Sequence, residues 1–150
     1  MPNAGHILLA DDDSDYTELV QIALRQAGIP EPVEVVKDGV EAVQYLKGEG
    51  AYADRVAHPI PFLVLLDLKL PGQSGFDVLR WIRRRPELRD VVVAVLSGWG
   101  FGNEEQTAYE LGANSYIAKP AQFDRLVELL TDLREHWLQP ERQLAASGKR

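Results

Sequence analysis

Two rhythms of apolar residues alternate along this chain. Short unbroken runs, Ile7-Leu8-Leu9-Ala10 and Phe62-Leu63-Val64-Leu65-Leu66, stop abruptly on carboxylates, at Asp11-Asp12-Asp13 and at Asp67. Two later runs stop on other polar groups: Val91 to Leu96 on Ser97, and Tyr116-Ile117-Ala118 on Lys119-Pro120. Runs of this length predict buried strands of a parallel sheet. Between them lie stretches with a helical period. Ser14 to Ala27 carries Leu19, Val20, Ala23, Leu24 and Ala27 and is closed by Gly28, as helices often are. Val33 to Val36 predicts a short strand, and after Asp38-Gly39 a second helix places Val40, Val43 and Leu46 on one face.

Pro71 to Gly75 reads as a loop, followed by a helix from Phe76 to Arg84 that Pro86 stops. Asn103 with Gln106 predicts a capping box for a helix ending at Gly112. A last helix runs through Phe123, Leu126, Leu129, Leu130, Leu133 and Trp137 towards Pro140. The predicted domain spans 6–138, with 139–150 a disordered tail. Five strand–helix units predict an α/β fold, a doubly wound (βα)5 three-layer sandwich with right-handed crossovers.

Composition changes this picture mainly by exclusion. The chain has 150 residues, long enough for one domain with a proper core. A net charge of -7 argues against nonspecific nucleic-acid binding, which needs clustered Lys and Arg. The absence of cysteine excludes disulfides, thiolate metal sites and Cys nucleophiles. No apolar stretch approaches a membrane span, and the polar start is no signal peptide, so the expected location is the cytoplasm.

The candidate chemistry comes from the strand ends. In an open α/β sheet the carboxyl ends of the strands form one rim, where ligands bind at the switch point of the strand order. If the order is 2-1-3-4-5, Asp11, Asp12 and Asp67 share one crevice. Two unit charges 4 Å apart cost about 4 kcal/mol at an effective dielectric near 20. Such a cluster must take up a proton or bind a cation. With oxygen ligands alone, Mg²⁺ keeping several waters is the natural candidate. Capping by Asp13 or Ser14 accounts for part of the acidic run, but not for acids at the ends of two apolar strands.

The set Asp11-Asp12, Asp67, Ser97, Tyr116 and Lys119-Pro120, with Pro71 four and Gly75 eight residues after Asp67, closely resembles the receiver domain of two-component response regulators. That resemblance implies the flavodoxin-like, CheY-like sheet order 2-1-3-4-5. It also implies that Asp67 is the phosphoacceptor, attacking a phosphohistidine on a sensor histidine kinase. Asp12 and Asp67 would be Mg²⁺ ligands, Asp11 would hold metal-bound water, and the Lys69 backbone carbonyl would supply another oxygen. Ser97 would donate its hydroxyl to a phosphoryl oxygen, and Lys119 would pair with Asp67 and then with the phosphoryl group. Ser97 and Tyr116 would form the switch. Catalysis would extend only to the chain's own phosphoryl transfer and dephosphorylation, by positioning and charge neutralisation.

Three positions depart from the pattern without deleting a required group. Lys69 adds a long cation beside the acceptor, Ser74 replaces a commoner acidic or amide residue, and Trp99 could overhang the site from between Gly98 and Gly100. No helix-turn-helix or catalytic segment follows the fifth helix, which resembles a stand-alone receiver acting through protein partners. The long stretch from Lys47 to Pro61 and the segment Tyr109 to Tyr116 resemble the single-domain receivers paired with bacterial phytochromes. A homodimer across the fourth helix, fifth strand and fifth helix is the expected self-association.

Two other families share part of this pattern. Asp11-Asp12-Asp13 contains the Asp-x-Asp of Mg²⁺-dependent haloacid dehalogenase-type phosphohydrolases. The late acidic motif such enzymes need is missing, since after Lys119 only Asp124 and Asp132 remain, both within the last helix. A flavodoxin would need a Ser/Thr-rich phosphate loop where this chain carries acids.

Overall fold

The computed structural model describes residues 5–98 and 102–138. The expected tail and Trp99 lie outside the described residues. The apolar runs form the strands β1 (Ile7–Ala10), β2 (Val33–Val36), β3 (Leu63–Asp67), β4 (Val92–Ser97) and β5 (Ser115–Ala118). The periodic stretches form the helices α1 (Ser14–Gln26), α2 (Gly39–Lys47), α3 (Gly75–Arg83), α4 (Glu104–Glu110) and α5 (Phe123–Leu133). All strand pairs are parallel, in the order β2-β1-β3-β4-β5.

Every residue of β1, β3 and β4 is buried, because helices cover both faces of the sheet. Alternation divides their side chains between two cores. Leu8, Ala10, Val64, Leu66, Val93 and Val95 pack towards α2, α3 and α4. Ile7, Leu9, Leu63, Leu65, Ala94 and Leu96 pack towards α1 and α5. Each fully buried aliphatic side chain contributes roughly 1.5–3 kcal/mol. This double coverage fixes the register: Ala10 lies opposite Leu66, Asp67 opposite Leu96, and Ser97 opposite Ala118. A slip by one residue would exchange the two cores.

Local chemistry settles most helix starts. Asp13 caps α1, its side chain accepting from the Tyr16 N–H; Asp38 caps α2 through the Glu41 N–H, and Ser74 caps α3 through the Asp77 N–H. The capping box expected at Asn103 does not form. Asn103 sits at φ −106°, ψ 30°, not in the extended conformation a cap needs, and the Gln106 amide donates to Glu110 instead.

Three apolar expectations are corrected. Leu19 is exposed on α1. On α2 the inward face is Ala42, Tyr45 and Leu46, so Val40 points outward. Tyr45 takes its place in the core because its hydroxyl, at the far end of a buried ring, donates to the Pro59 carbonyl at 3.0 Å. After α5 the chain makes a π-helical turn, Arg134–Leu138. The extra residue per turn seats Leu138 in the core and leaves Trp137 exposed.

The long segment between α2 and β3 folds back as a buttress. Gly48 ends α2 in the left-handed region at φ 73°. Arg55 then donates to the carbonyls of Tyr45, Leu46 and His58, while the rings of Tyr45, Tyr52 and His58 pack against one another.

Candidate functional site

The β1–β3 neighbourhood is the switch point of this strand order, with α1 on one face and α2 on the other. Asp11 follows β1 and is fully buried, Asp12 is exposed, and Asp67 ends β3 almost buried. Carboxylate oxygens from Asp11, Asp12 and Asp67 lie within 4.8 Å of one another. Lys119, one residue beyond β5, reaches back across the rim. Its Nζ donates to Asp11 Oδ2 at 2.9 Å and to Asp67 Oδ2 at 3.1 Å. The Lys119 N–H also donates to the Ser97 carbonyl at 2.6 Å, which continues the β4–β5 ladder and fixes the lysine's starting point.

Backbone groups hold the other carboxylate oxygens. Asp11 Oδ1 accepts from the Asp13 N–H at 2.9 Å, and Asp67 Oδ1 from the Lys69 N–H at 3.0 Å. A carboxylate offers about four lone-pair directions, so each oxygen keeps capacity for a further ligand. Hard oxygen donors, one solvent-open member and the lack of sulfur or imidazole fit a divalent cation such as Mg²⁺ or Mn²⁺. Asp13, by contrast, spends an oxygen on the α1 cap, which separates the Asp-x-Asp pair into two jobs.

Burial pushes the Asp11 carboxyl above the ordinary carboxylate range, and the hydrogen bonds from Lys119 and Asp13 only partly oppose it. For Lys119, burial alone would lower the ammonium's pKa. Its hydrogen bond to Asp11 and the charges of Asp67 and Asp11 outweigh burial and raise it. The Tyr16 ring covers the ammonium, with Nζ 4.6 Å from its centroid, a cation–π contact.

Gly75 explains its own place in the pattern. A Cβ there would collide with the Asp67 carbonyl and stand 2.6 Å from the Leu68 Cα. Only hydrogen lets α3 start against the end of β3, where the Gly75 N–H donates to the Leu68 carbonyl at 3.0 Å.

Ser97 ends β4, buried. Its hydroxyl donates to Glu104 Oε1 at 2.6 Å, and the Tyr116 hydroxyl donates to the same oxygen at 2.5 Å. Burial and then the Glu104 bond raise the Tyr116 phenol above its ordinary value, while a hydrogen bond with Ser97 pulls the other way. The structure therefore brings together Asp11, Asp12, Asp67 and Lys119 as one cluster, and Ser97 with Tyr116 as a second unit beside it. Lys69 is exposed, tied to the site through its N–H.

Sequence reasoning missed the Lys119–Asp11 bond, Tyr16 and Glu104. No local signal marks Glu104, which lies seven residues beyond Ser97 across a glycine-spaced loop.

The family model for the response regulator receiver domain matches residues 7–131. This chain belongs to that family. It is 34% identical over 133 residues to "Probable methanogenesis regulatory protein FilR2" of Methanothrix harundinacea, covering 88% of this chain and 83% of that protein. To the response regulator Rcp1 of Synechocystis it is 32% identical over 133 residues, covering 89% and 88%. Among solved structures, the phosphorylated cyanobacterial phytochrome response regulator RcpA superposes with a TM-score of 0.80 at 36% identity, covering 91% of this chain and 95% of that one. A Mn²⁺-bound form of Rcp1 superposes with a TM-score of 0.77 at 31% identity, covering 89% and 94%. The receiver fold and its acidic cluster thus agree with what the strand ends implied. The haloacid dehalogenase reading is not favoured: Asp124 and Asp132 are exposed on α5. Among the described residues, no helix is long and apolar enough to cross a membrane.

Proposed function

We propose that this receiver accepts a phosphoryl group on Asp67 from a phosphohistidine of a sensor histidine kinase, with Mg²⁺ bound by Asp12 and Asp67. The observation that carries the reading is the Asp67 carboxylate, held between the Lys69 N–H and the Lys119 ammonium at the switch point. An Asp67 oxygen forms the new bond to phosphorus as the phosphorus–nitrogen bond to the imidazole breaks, and the imidazole leaves with the bonding pair. Asp11 would hold metal-bound water and the Lys69 carbonyl would supply a further oxygen. When bound, Mg²⁺ supplies positive charge against the phosphoryl oxygens. Lys119 orients the acceptor beforehand and pairs with the transferred group afterwards. The Tyr16 ring keeps water from one side of the ammonium. This is catalysis by preorganised charge.

Signal output is by protein–protein contact. Ser97 turns its hydroxyl to the phosphoryl group, Tyr116 follows, and the face of α4, β5 and α5 changes its affinity for a second copy of the chain or for another partner. A coupling of about 1–3 kcal/mol would shift association roughly 5–150-fold. Likeness to the phytochrome response regulator RcpA supports a phytochrome kinase as the donor, and a cytoplasmic setting would accord with such a kinase. The receiver unit is read as 6–138.

The test is intact-mass measurement after incubation with acetyl phosphate and Mg²⁺. One added phosphoryl group is expected, absent in Asp67→Asn and without Mg²⁺. A label that survives Asp67→Asn would remove the assignment.

A further inference from the structure

Glu104 is a charged side chain bonded to both members of the second unit, and the receiver pattern assigns it no role. Its Oε1 receives two short hydroxyl bonds, from Ser97 at 2.6 Å and Tyr116 at 2.5 Å. These lengths are those of charge-assisted O–H···O⁻ bonds, roughly twice as strong as neutral ones. A serine hydroxyl has one proton to give. Ser97 also hydrogen-bonds Tyr116, and the 2.6 Å contact to a carboxylate oxygen favours Glu104 as the recipient of that proton. A phosphoryl group on Asp67 would compete for the same proton, since Ser97 follows Leu96, the residue opposite Asp67 on the neighbouring strand.

We propose that Glu104 is a positioning residue that sets the resting state of the switch: its carboxylate competes with the phosphoryl group for the Ser97 proton and holds the Tyr116 phenol on the same oxygen. The inference rests on the reading that Asp67 is the phosphoacceptor. Two consequences follow from the shared oxygen. Phosphorylation must break a charge-assisted bond before Ser97 can turn, so the resting state resists activation. Serine and tyrosine are also coupled through a third side chain on α4, so a partner that moves the start of α4 would alter the site's affinity for phosphoryl. Control of the switch thereby extends to the α4 face.

The probe is beryllofluoride with Mg²⁺, a tetrahedral stand-in for the phosphoryl group, titrated into the full chain and followed calorimetrically. Alongside, the Tyr116 ring resonances are followed by NMR and folding is checked by thermal melting. Glu104→Ala is expected to bind beryllofluoride about tenfold more tightly, since a bond to a charged acceptor no longer has to be broken. Glu104→Gln, which keeps the shape and a weaker acceptor, is expected to gain about threefold, and it serves if the alanine variant fails to fold. In a Ser97→Ala background, Glu104→Ala is expected to change nothing, because the contested proton is gone. A purely structural glutamate would act equally in both backgrounds. In unloaded Glu104→Ala the Tyr116 resonances should already lie part-way to their loaded positions.

Unchanged or weaker binding in both Glu104 variants, with wild-type melting, overturns the proposal. An equal gain in the Ser97→Ala background overturns it too. If the wild type gains no phosphoryl group on Asp67 in the intact-mass test, the reading of Asp67 fails first, which is a different result from a phosphorylatable protein indifferent to Glu104.

Discussion

Lys119→Met should reveal how much of the fold's stability is committed to holding the acidic cluster together. Methionine keeps most of the stem and removes the charge. The ammonium lies 2.9 Å from Asp11 and 3.1 Å from Asp67, and the three side chains are 17%, 0% and 8% exposed. At an effective dielectric near 20 the two attractions sum to about 11 kcal/mol, most of it offset by the cost of desolvating the ions. Without the lysine, Asp11 and Asp67 repel at no more than 4.8 Å, about 3.5 kcal/mol or more on the same scale. A proton sets the ceiling. Protonating one carboxylate of ordinary pKa, about 3.9, costs roughly 4 kcal/mol at pH 7 and roughly 1.5 kcal/mol at pH 5.

The expected loss is therefore about 3–4 kcal/mol at pH 7, falling to about 1.5 kcal/mol at pH 5. At pH 7 it should lower the melting temperature by about 10 °C. Saturating Mg²⁺ should recover about 2.7 kcal/mol at a hundred times its Kd, because the cation replaces the missing charge. Urea unfolding of wild type and variant at both pH values, with and without Mg²⁺, measures all of this. A loss of the same size at pH 5 and pH 7 would mean that packing, not charge, was removed. Repulsion between Asp11 and Asp67 would then not be what the lysine relieves.

Two further outcomes are expected. Stability should decline as the pH rises from about 10 towards 12. Burial pushes Tyr45 up to about 12, and the Asp11 and Asp67 partners raise Lys119, so the folded chain keeps protons that the unfolded chain releases from about pH 10. Urea midpoints between pH 8 and 11.5, with absorbance at 295 nm, would show this; a flat stability curve would refute it. Gly75→Ala should cost at least about 2 kcal/mol, by forcing α3 from the end of β3, and should abolish labelling of Asp67 by acetyl phosphate. A variant with wild-type melting and labelling would show that the turn yields freely.

The strands and the acidic ends of two of them were legible in the sequence because both are local signals. A run such as Leu63 to Leu66 needs burial on both faces, and only a covered parallel sheet supplies it. Asp11 and Asp67 sit one step beyond such runs, so their place on the rim followed from the strand alone. Helix faces were read less well where an element bends or a polar group is buried. Val40 and Trp137 gave way to Tyr45 and Leu138, because a hydroxyl found the Pro59 carbonyl and a π turn shifted the spacing. No periodicity carries that information.

Tertiary structure alone decided who meets whom across long intervals of chain. Lys119 bonds Asp11 as well as Asp67, 108 and 52 residues away, because the strand order brings all three to one rim. Glu104 joins Ser97 to Tyr116 only because α4 lies against β4 and β5. A sequence specifies each of these side chains and the strand end or helix start that carries it. The hydrogen bond between them exists only after the sheet has closed, since its geometry depends on the packing of elements that share no local pattern.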